Sequence, residues 1–227
     1  MSKHAGKKMK AAIALYDPLK VYLAEEAAPI VKKVSYAKFQ GPINIAIKLN
    51  LDTTKAEQQL RGTISLPNGT GKQVRIVALA DNVSKEDAKE ADIDYLGGKD
   101  LIDKIKQGWL DFDLIITIPK FMPELSKLGK ILGPRGLMPN PKTQTVTTDI
   151  IGTAKSFKKG RFEYRTDSYG IIHCPIGQVS FTDEQLAQNI KFMIETIRTR
   201  RPSTVKGDFI QSVVVVPTMG PAVKVKF

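Results

Sequence analysis

A chain of 227 residues, of which 42% are hydrophobic, is long enough for one large domain or two modest ones with buried cores. The formal net charge of +12 predicts a polyanionic partner, either a nucleic acid or an acidic membrane surface. The single cysteine, Cys174, excludes an internal disulfide, and no apolar run approaches the roughly 20 residues that span a bilayer. These features predict a soluble protein of the cytoplasm.

The first part of the chain predicts helices and an antiparallel pair of strands. Residues 7–16 favour a basic helix, and Asp17-Pro18 suits the N-cap and first position of a second helix. Isoleucine and leucine alternate with other residues over 43–50, which predicts a half-buried strand. Residues 61–66 are predicted to pair with that strand, and the turn-forming residues 67–71 end the pattern.

The middle of the chain has a different pattern. Residues 74–80 and 113–118 are short, nearly continuous apolar runs, typical of strands buried on both faces of a parallel sheet. Between them, residues 84–91 predict a helix with Ser84 as N-cap and Asp87 as its capping-box acid, and residues 99–107 predict another. This β-α-(β)-α-β alternation predicts an α/β unit over 68–159.

The last part of the chain returns to the first pattern. Residues 161–166 and 170–175 predict an antiparallel hairpin, a helix opens at Thr182, and residues 209–216 form a strand. We therefore expect residues 1–67 and 160–227 to form one domain that is interrupted by 68–159. The predicted fold class is α/β: an α+β split terminal domain with an antiparallel sheet, plus an inserted Rossmann-like α/β domain with a parallel sheet.

The segment 129–145, GKILGPRGLMPNPKTQT, combines glycine and proline with three cations, Lys130, Arg135 and Lys142. Proline removes amide donors and glycine permits positive φ, so no helix or central strand is expected here. The segment predicts an ordered cationic loop whose exposed backbone approaches a polyanion. A turn-rich connector with solvated lysines is the alternative, although four large apolar residues argue against a mere linker.

No group of residues predicts catalysis. Residues 68–73, NGTGKQ, lack the GxxxxGK[ST] spacing of a phosphate loop and precede a predicted strand. His173 and Cys174 are strand neighbours that point to opposite faces, and two histidines with one cysteine do not make a zinc site. We expect no enzyme activity, no metal and no cofactor. With only 7% aromatic residues, recognition of a folded RNA by its shape is favoured over stacking along a single strand.

Six segments resemble, in order, the bacterial type of the ribosomal protein L1 family of the large subunit: 61–72, 94–98, 108–116, 127–147, 160–181 and 212–221. The resemblance implies a two-domain protein of the mobile stalk beside the tRNA exit site. Its split domain would bind folded large-subunit rRNA, and the protein would assist release of deacylated tRNA. The alternative role is repression of translation through the chain's own operon mRNA, bound by the same surface. The free protein is expected to be a cytoplasmic monomer without a membrane partner.

The resemblance also implies RNA contacts at matching positions, which are Lys38, Phe39, Ser212, Thr218, Met219 and Gly220, with Glu26 and Asp167 as weaker transfers. Gly220 would let RNA backbone approach, and the Thr218 hydroxyl would bond a 2′-hydroxyl or base edge. Arg161 and Arg165 share a strand face with Glu163, as phosphate contacts or as intramolecular pairs. Lys130, Arg135 and Lys142 are the predicted tRNA-facing cations. Family members usually have glycine at position 144 and Lys-Thr at 168–169, where this chain has Gln144 and Ser168-Tyr169.

Overall fold

A computed structural model describes residues 6–53, 55, 58–80 and 85–227, and gives the backbone alone for 85, 87, 89 and 142. The chain divides into two compact units, Met1–Gly71 with Glu163–Phe227 (unit 1) and Lys72–Phe162 (unit 2). Unit 1 contains an antiparallel sheet and unit 2 a parallel one, which confirms the predicted mixed α/β class. None of the described helices is long and apolar enough to cross a membrane.

The helices and strands, in chain order, are α1 (Lys7–Ile13), α2 (Ala24–Val34), β1 (Pro42–Leu49), β2 (Arg61–Ser65), β3 (Ile76–Leu79), α3 (Lys85–Glu90), β4 (Tyr95–Gly97), α4 (Lys99–Lys106), β5 (Leu114–Thr117), α5 (Met122–Ser126), α6 (Gly129–Leu132), α7 (Ile150–Lys158), β6 (Arg161–Arg165), β7 (Ile171–Gln178), α8 (Asp183–Thr199), β8 (Ile210–Pro217) and β9 (Val223–Val225). Short 3₁₀ helices cover Pro119–Phe121 and Pro141–Thr143. Ser84, the predicted N-cap, lies outside the described residues, and the Asp87 side chain is not described.

The core of unit 1 lies on one face of the sheet β7-β1-β8-β9, whose neighbouring strands all run antiparallel. The odd-numbered residues of β1 are buried, which confirms the half-buried strand predicted from period-two alternation. Helices α2 and α8 pack together and contact the strands of this sheet. The apolar positions of α8 are buried as predicted, and Thr182 and Gln185 form a capping box at its start.

The predicted pairing of residues 61–66 with the first strand is wrong. Strand β1 has β7 on one side and β8 on the other, so neither of its edges is free for β2. Strand β2 instead forms a two-stranded sheet with β6. The expected hairpin of β6 and β7 is reduced to one bridge, between Thr166 and Ile172, because β6 pairs with β2 in a separate sheet.

The helix expected to begin at Pro18 begins at Ala24 instead. Asp17 does cap a local turn, because its Oδ1 accepts a hydrogen bond of 2.9 Å from the Leu19 amide. Tyr22 then joins the sheet edge: its amide donates to the carbonyl of Lys224, and its carbonyl accepts from Lys226. Helical φ and ψ are excluded at Tyr22 while it makes these bridge bonds, so α2 starts two residues later.

Unit 2 is built on the parallel sheet β4-β3-β5. All four residues of β3 are buried, which confirms the interpretation of residues 74–80 as a strand covered on both faces. One face carries a core that includes Val77, Ile105 and Leu125, and the other packs Ile76 and Ile116 on α7. The helices therefore flank the sheet on both sides, as in other α/β units.

The prediction that residues 129–145 contain no helix is wrong. Residues Gly129–Leu132 form the short helix α6, and Pro141–Thr143 form a 3₁₀ turn. Leu132 is fully buried in the core of unit 2, and Ile131, Leu137 and Met138 pack against that core. Burial of these apolar side chains outweighs the low helix propensity of glycine and anchors the segment to its unit.

Candidate nucleic-acid interface

The turn between β8 and β9 meets the segment before β1 at one end of the sheet in unit 1. Both the amide and the hydroxyl of Thr218 donate to the carbonyl of Pro42, at 3.1 and 2.8 Å. A Cβ atom placed on Gly41 would lie 3.0 Å from the Phe39 ring and 3.0 Å from Thr218 Cβ. The structure therefore brings Lys38-Phe39 and Thr218-Met219 together around Gly41.

This meeting point presents apolar groups to solvent. The side chains of Phe39 and Met219 are 57% and 66% exposed, and Lys38 is also exposed. Exposed large apolar groups beside a cation suit a surface that packs against base or sugar faces while its ammonium group meets a phosphate. We call the residues Lys38, Phe39, Thr218, Met219 and Gly220 the turn cluster.

Hydrogen bonding and packing fix the conformation of the turn between β8 and β9. The Gly220 amide donates to the Pro217 carbonyl at 2.9 Å, and Met219 has a φ of +68°, as the third residue of a type II turn does. A Cβ atom on Gly220 would lie 2.5 Å from Pro217 Cγ. Packing inside the protein therefore requires glycine here, independently of the predicted approach of RNA.

The open face of the sheet extends from the turn cluster along β8. Ser212 is exposed and stands opposite Lys48 of β1, while Ala46 and Val214 face each other in the adjacent row. Thr218 lies six positions after Ser212, so these two predicted contacts are about 20 Å apart along the chain. Small side chains over this length leave room for a broad, shallow ligand.

Two polar residues on the same face were missed by sequence reasoning. His173 of β7 and Lys224 of β9 are exposed, and the strand register places both in the row of Ala46 and Val214. They thus flank the small residues from opposite sides. The available signal was alternation, because His173 precedes buried Cys174 and Lys224 lies between two buried valines.

Asp167 organises the turn that leads into β7. Its Oδ1 accepts hydrogen bonds from the amides of Tyr169 and Ile171, at 2.9 and 2.8 Å, and its Oδ2 lies 3.5 Å from His173 Nε2. Partial burial raises the pKa of Asp167, but the two amide hydrogen bonds and His173 outweigh burial, so the pKa is lowered overall. The structure gives Asp167 a capping role, and RNA contact by this residue stays a prediction.

We expect the stabilising effect of Asp167 to disappear in acid. Because its folded pKa lies below the ordinary value of 3.8, the contribution is complete above that value and is lost as pH falls through the folded pKa. In Asp167→Asn this pH-dependent contribution is absent, so the free energies of unfolding of wild type and variant should differ by a constant amount well above pH 3.8 and converge as pH falls below that value. Urea unfolding at several pH values measures this, and a constant difference would contradict the role of the carboxylate.

Glu26 lies apart from the turn cluster. It is exposed in the first turn of α2, where its Oε2 accepts a 3.4 Å hydrogen bond from the Leu23 amide. The other end of α2 lies beside the cluster, since the Val34 carbonyl is 3.2 Å from a Cβ placed on Gly220. Eight residues of helix put Glu26 about 12 Å from that end.

The arginines of β6 differ in their surroundings. Arg161 donates to the side-chain oxygen of Gln144, and its guanidinium lies 5.5 Å from the ring centroid of Phe157. Glu163 pairs with neither arginine of its strand but with Arg61, at 2.5 Å. Arg165 is exposed, and no ion pair joins it to another residue in the described part of the chain. Arg161 therefore makes an intramolecular contact, whereas all the N–H donors of the Arg165 guanidinium group can bind a ligand.

The cationic segment of unit 2 exposes both of the predicted cations whose side chains the structure describes. Lys130 and Arg135 are exposed, as are Gly133, Pro134 and Gly136. The side chain of Lys142 lies outside the part that the structure describes. Elsewhere, no three His, Cys, Asp or Glu side chains among the described residues are grouped as a metal site would require.

We expect Cys174 to resist alkylation in the folded protein. Its side chain is buried in β7, and burial raises the pKa of the thiol from 9.0 to about 12. The reactive thiolate is therefore scarce near pH 8, so iodoacetamide should label native protein far more slowly than protein in urea. Equal labelling rates in both conditions would show that the thiol is accessible in the fold.

The sequence is similar to known proteins over nearly its whole length. A family model described as "Ribosomal protein L1p/L10e family" matches residues 31–221. The chain is 53% identical to the large ribosomal subunit protein uL1 of Mycoplasmoides gallisepticum, over 100% of this chain and 99% of that protein. It is 52% identical to the uL1 protein of Mycoplasma pneumoniae, over 97% and 96% of the two chains. Identity to the uL1 protein of Thermosipho melanesiensis is 49%, over 99% and 97%.

Proposed function

The chain belongs to the ribosomal protein L1p/L10e family, and from this premise we propose that it is a constituent of the large ribosomal subunit that binds folded rRNA. As a ribosomal protein it is a structural protein and not an enzyme, which agrees with the interpretation of its sequence. It works in the cytoplasm as part of the ribosome.

The observation that carries the proposal is the assembly of the turn cluster around Gly41. Two segments that are 180 residues apart in sequence, at Lys38 and Thr218, meet there through the bonds to Pro42. The Thr218 hydroxyl donates its hydrogen bond to the Pro42 carbonyl, so its oxygen can still accept a hydrogen bond from a 2′-hydroxyl or a base amino group. A 2′-hydroxyl donor is what distinguishes RNA from DNA at such a site.

The open face of the sheet supplies the shape for this partner. Its exposed or half-buried residues combine a floor of small side chains with Lys48, His173 and Lys224. The wide, shallow minor groove of A-form RNA displays 2′-hydroxyls and base edges, which an open face of this kind can contact. We propose that this groove, or an irregular RNA structure of similar shape, lies along β8 from Ser212 to the turn cluster.

We propose that the two compact units act as separate domains. The sequence places the boundaries after residue 67 and before residue 160, close to the unit boundaries at Gly71 and Glu163. Unit 1 then carries the affinity for rRNA, and unit 2 contributes contacts with tRNA. Its exposed Lys130 and Arg135, beside glycine and proline backbone, support contact with the deacylated tRNA that leaves the exit site.

Repression of translation is the second candidate function. It would use the same surface of unit 1, because an mRNA that imitates the rRNA structure presents the same phosphates and 2′-hydroxyls. Competition measures this directly: the operon leader RNA should displace rRNA in proportion to its own affinity. A leader RNA that binds no better than an unrelated hairpin would remove this role and leave the ribosomal role in place.

Reconstitution tests the proposed function itself. Labelled chain should sediment with large ribosomal subunits that have been stripped of their own L1-family protein, and not with small subunits. Excess folded stalk-region rRNA should prevent this association. Failure to join the depleted large subunit, or equal association with both subunits, would contradict the proposal.

A further inference from the structure

A cleft of about 800 Å³ opens in unit 1 at the end of the sheet away from the turn cluster. It lies where β1 and α8 end and where β8 begins. The exposed residues that line it are Asn50, Arg198, Arg201, Asp208, Gln211 and Phe227. None of these residues was singled out by the sequence, and none belongs to the turn cluster.

The cleft offers fixed and exposed cationic donors. Arg201 Nη2 donates to the carbonyls of Val205 and Gly207, at 2.7 and 3.0 Å, which holds the guanidinium in place. Its Nη1 and Nε groups are left for a ligand. Arg198, on the last turn of α8, is exposed. Among the side chains that line the cleft, two guanidinium groups stand beside the one carboxylate of Asp208, and guanidinium forks suit phosphate oxygens.

An aromatic ring stands beside these cations. Phe227 is 45% exposed although it lines the cleft, so one part of its ring is open to a ligand. Asn50 and Gln211 are both exposed in the same cleft. Their side-chain amides can donate and accept hydrogen bonds. A π face, guanidinium groups and amides together match an unstacked base with its phosphate.

We propose that this cleft binds one unpaired nucleotide of the rRNA, with its phosphate on Arg198 and Arg201 and its base against Phe227. The inference rests on the proposed function and adds a second contact to it. Gln211 lies in β8 and Thr218 directly follows the end of that strand, seven residues later, so the two contacts are separated by roughly 23 Å. An RNA that meets both would be held at the two ends of the sheet, which fixes its direction along β8.

The test uses the full chain and a folded stalk-region rRNA fragment. Arg198→Gln is the informative variant, because Arg201 also holds its own loop. We expect its affinity to fall roughly tenfold, as loss of a charge-assisted hydrogen bond predicts, and its salt slope to fall by about 0.7 to 0.9. Phe227→Leu, which keeps an apolar side chain without the π face, should weaken binding by a similar factor. Asp208→Asn should strengthen it.

Lys206→Gln is the matched control, since Lys206 is exposed on the same loop but does not line the cleft. It should retain affinity within about twofold, and circular dichroism should show wild-type folding in every variant. Equal losses in Lys206→Gln and Arg198→Gln would overturn the proposal, because charge alone would then explain both. Wild-type RNA affinity in Arg198→Gln would also overturn the proposal. If that variant bound RNA normally but assembled poorly into the large subunit, the cleft would bind a protein and not a nucleotide.

Failure of this inference can be separated from failure of the proposed function. If Thr218→Val loses affinity while Arg198→Gln does not, the cleft proposal fails and the turn cluster stands. If wild-type protein does not prefer the stalk fragment over an unrelated hairpin of equal charge, the proposed function fails, and the cleft proposal fails with it.

Discussion

Replacing Thr218 with valine is expected to weaken binding of a folded stalk-region rRNA fragment by about 1–3 kcal/mol, or roughly 5- to 150-fold. Valine keeps the shape of threonine but removes the oxygen that would accept from RNA, so a buried RNA donor would be left without a partner. The fold should tolerate the change, because the Thr218 amide still donates to the Pro42 carbonyl at 3.1 Å. Equilibrium binding at fixed salt measures the loss.

Thr218→Ser is the matched control for this prediction. Serine restores the hydroxyl without the methyl group, so it should recover most of the wild-type affinity if the oxygen is what RNA contacts. Thermal unfolding should show all three proteins folded alike. Wild-type affinity in Thr218→Val, or an equal loss in valine and serine variants, would remove the hydroxyl from the site.

Replacing Gly220 with alanine is expected to lower the free energy of unfolding by about 1–3 kcal/mol, as overpacking does. The new Cβ would lie 2.5 Å from Pro217 Cγ and 3.2 Å from the Val34 carbonyl, and the Pro217 ring has little freedom to move. The turn must therefore shift, so RNA affinity should fall together with stability. Urea unfolding and RNA binding of the same variant give the two values.

Gly6→Ala provides the control for a glycine without this constraint. No atom lies within 4 Å of a Cβ at Gly6, and its φ of −63° is accessible to alanine. Because Gly6 is the N-cap of α1, where glycine is preferred to alanine, stability should fall by no more than about 0.5–1 kcal/mol, without a steric clash. If Gly220→Ala lost RNA affinity at wild-type stability, the glycine would serve the approach of RNA and not internal packing.

Local patterns in the sequence were sufficient to predict most elements. Strand β3 is a continuous apolar run and is buried on both faces, while β1 alternates and is buried on one. The start of α8 follows from Thr182 and Gln185, whose side chains bond each other's amides. These features depend on neighbouring residues only, so a single sequence contains them.

Pairing between distant segments could not be predicted in the same way. Nothing near residues 61–66 indicates that β6, about 100 residues later, is the partner of β2 and that β1 is not. The burial of Leu132, which makes α6 possible, likewise depends on side chains of other elements. Apolar contacts across the fold decide these cases, and local propensity does not report them.

The residues of the candidate site could be predicted from the sequence, but their arrangement in space could not. The resemblance named residues at both ends of the chain, but only the structure shows that Phe39 and Thr218 share Gly41 as a neighbour. It also gives the glycine preference of the family at position 144 a physical reason, because Gln144 has a φ of +57°. A residue with a side chain is strained at such a φ, whereas glycine is not.

The most direct measurement of the central claim is a salt series of binding to a folded stalk-region rRNA fragment, beside an unrelated hairpin of equal charge. If the turn cluster and the open face recognise shape, the stalk fragment should remain strongly preferred at moderate salt, although both affinities fall as salt rises. Equal binding to the two RNAs, lost together as salt rises, would mean that the net charge of +12 alone drives association, and the proposed surface would then lose its support.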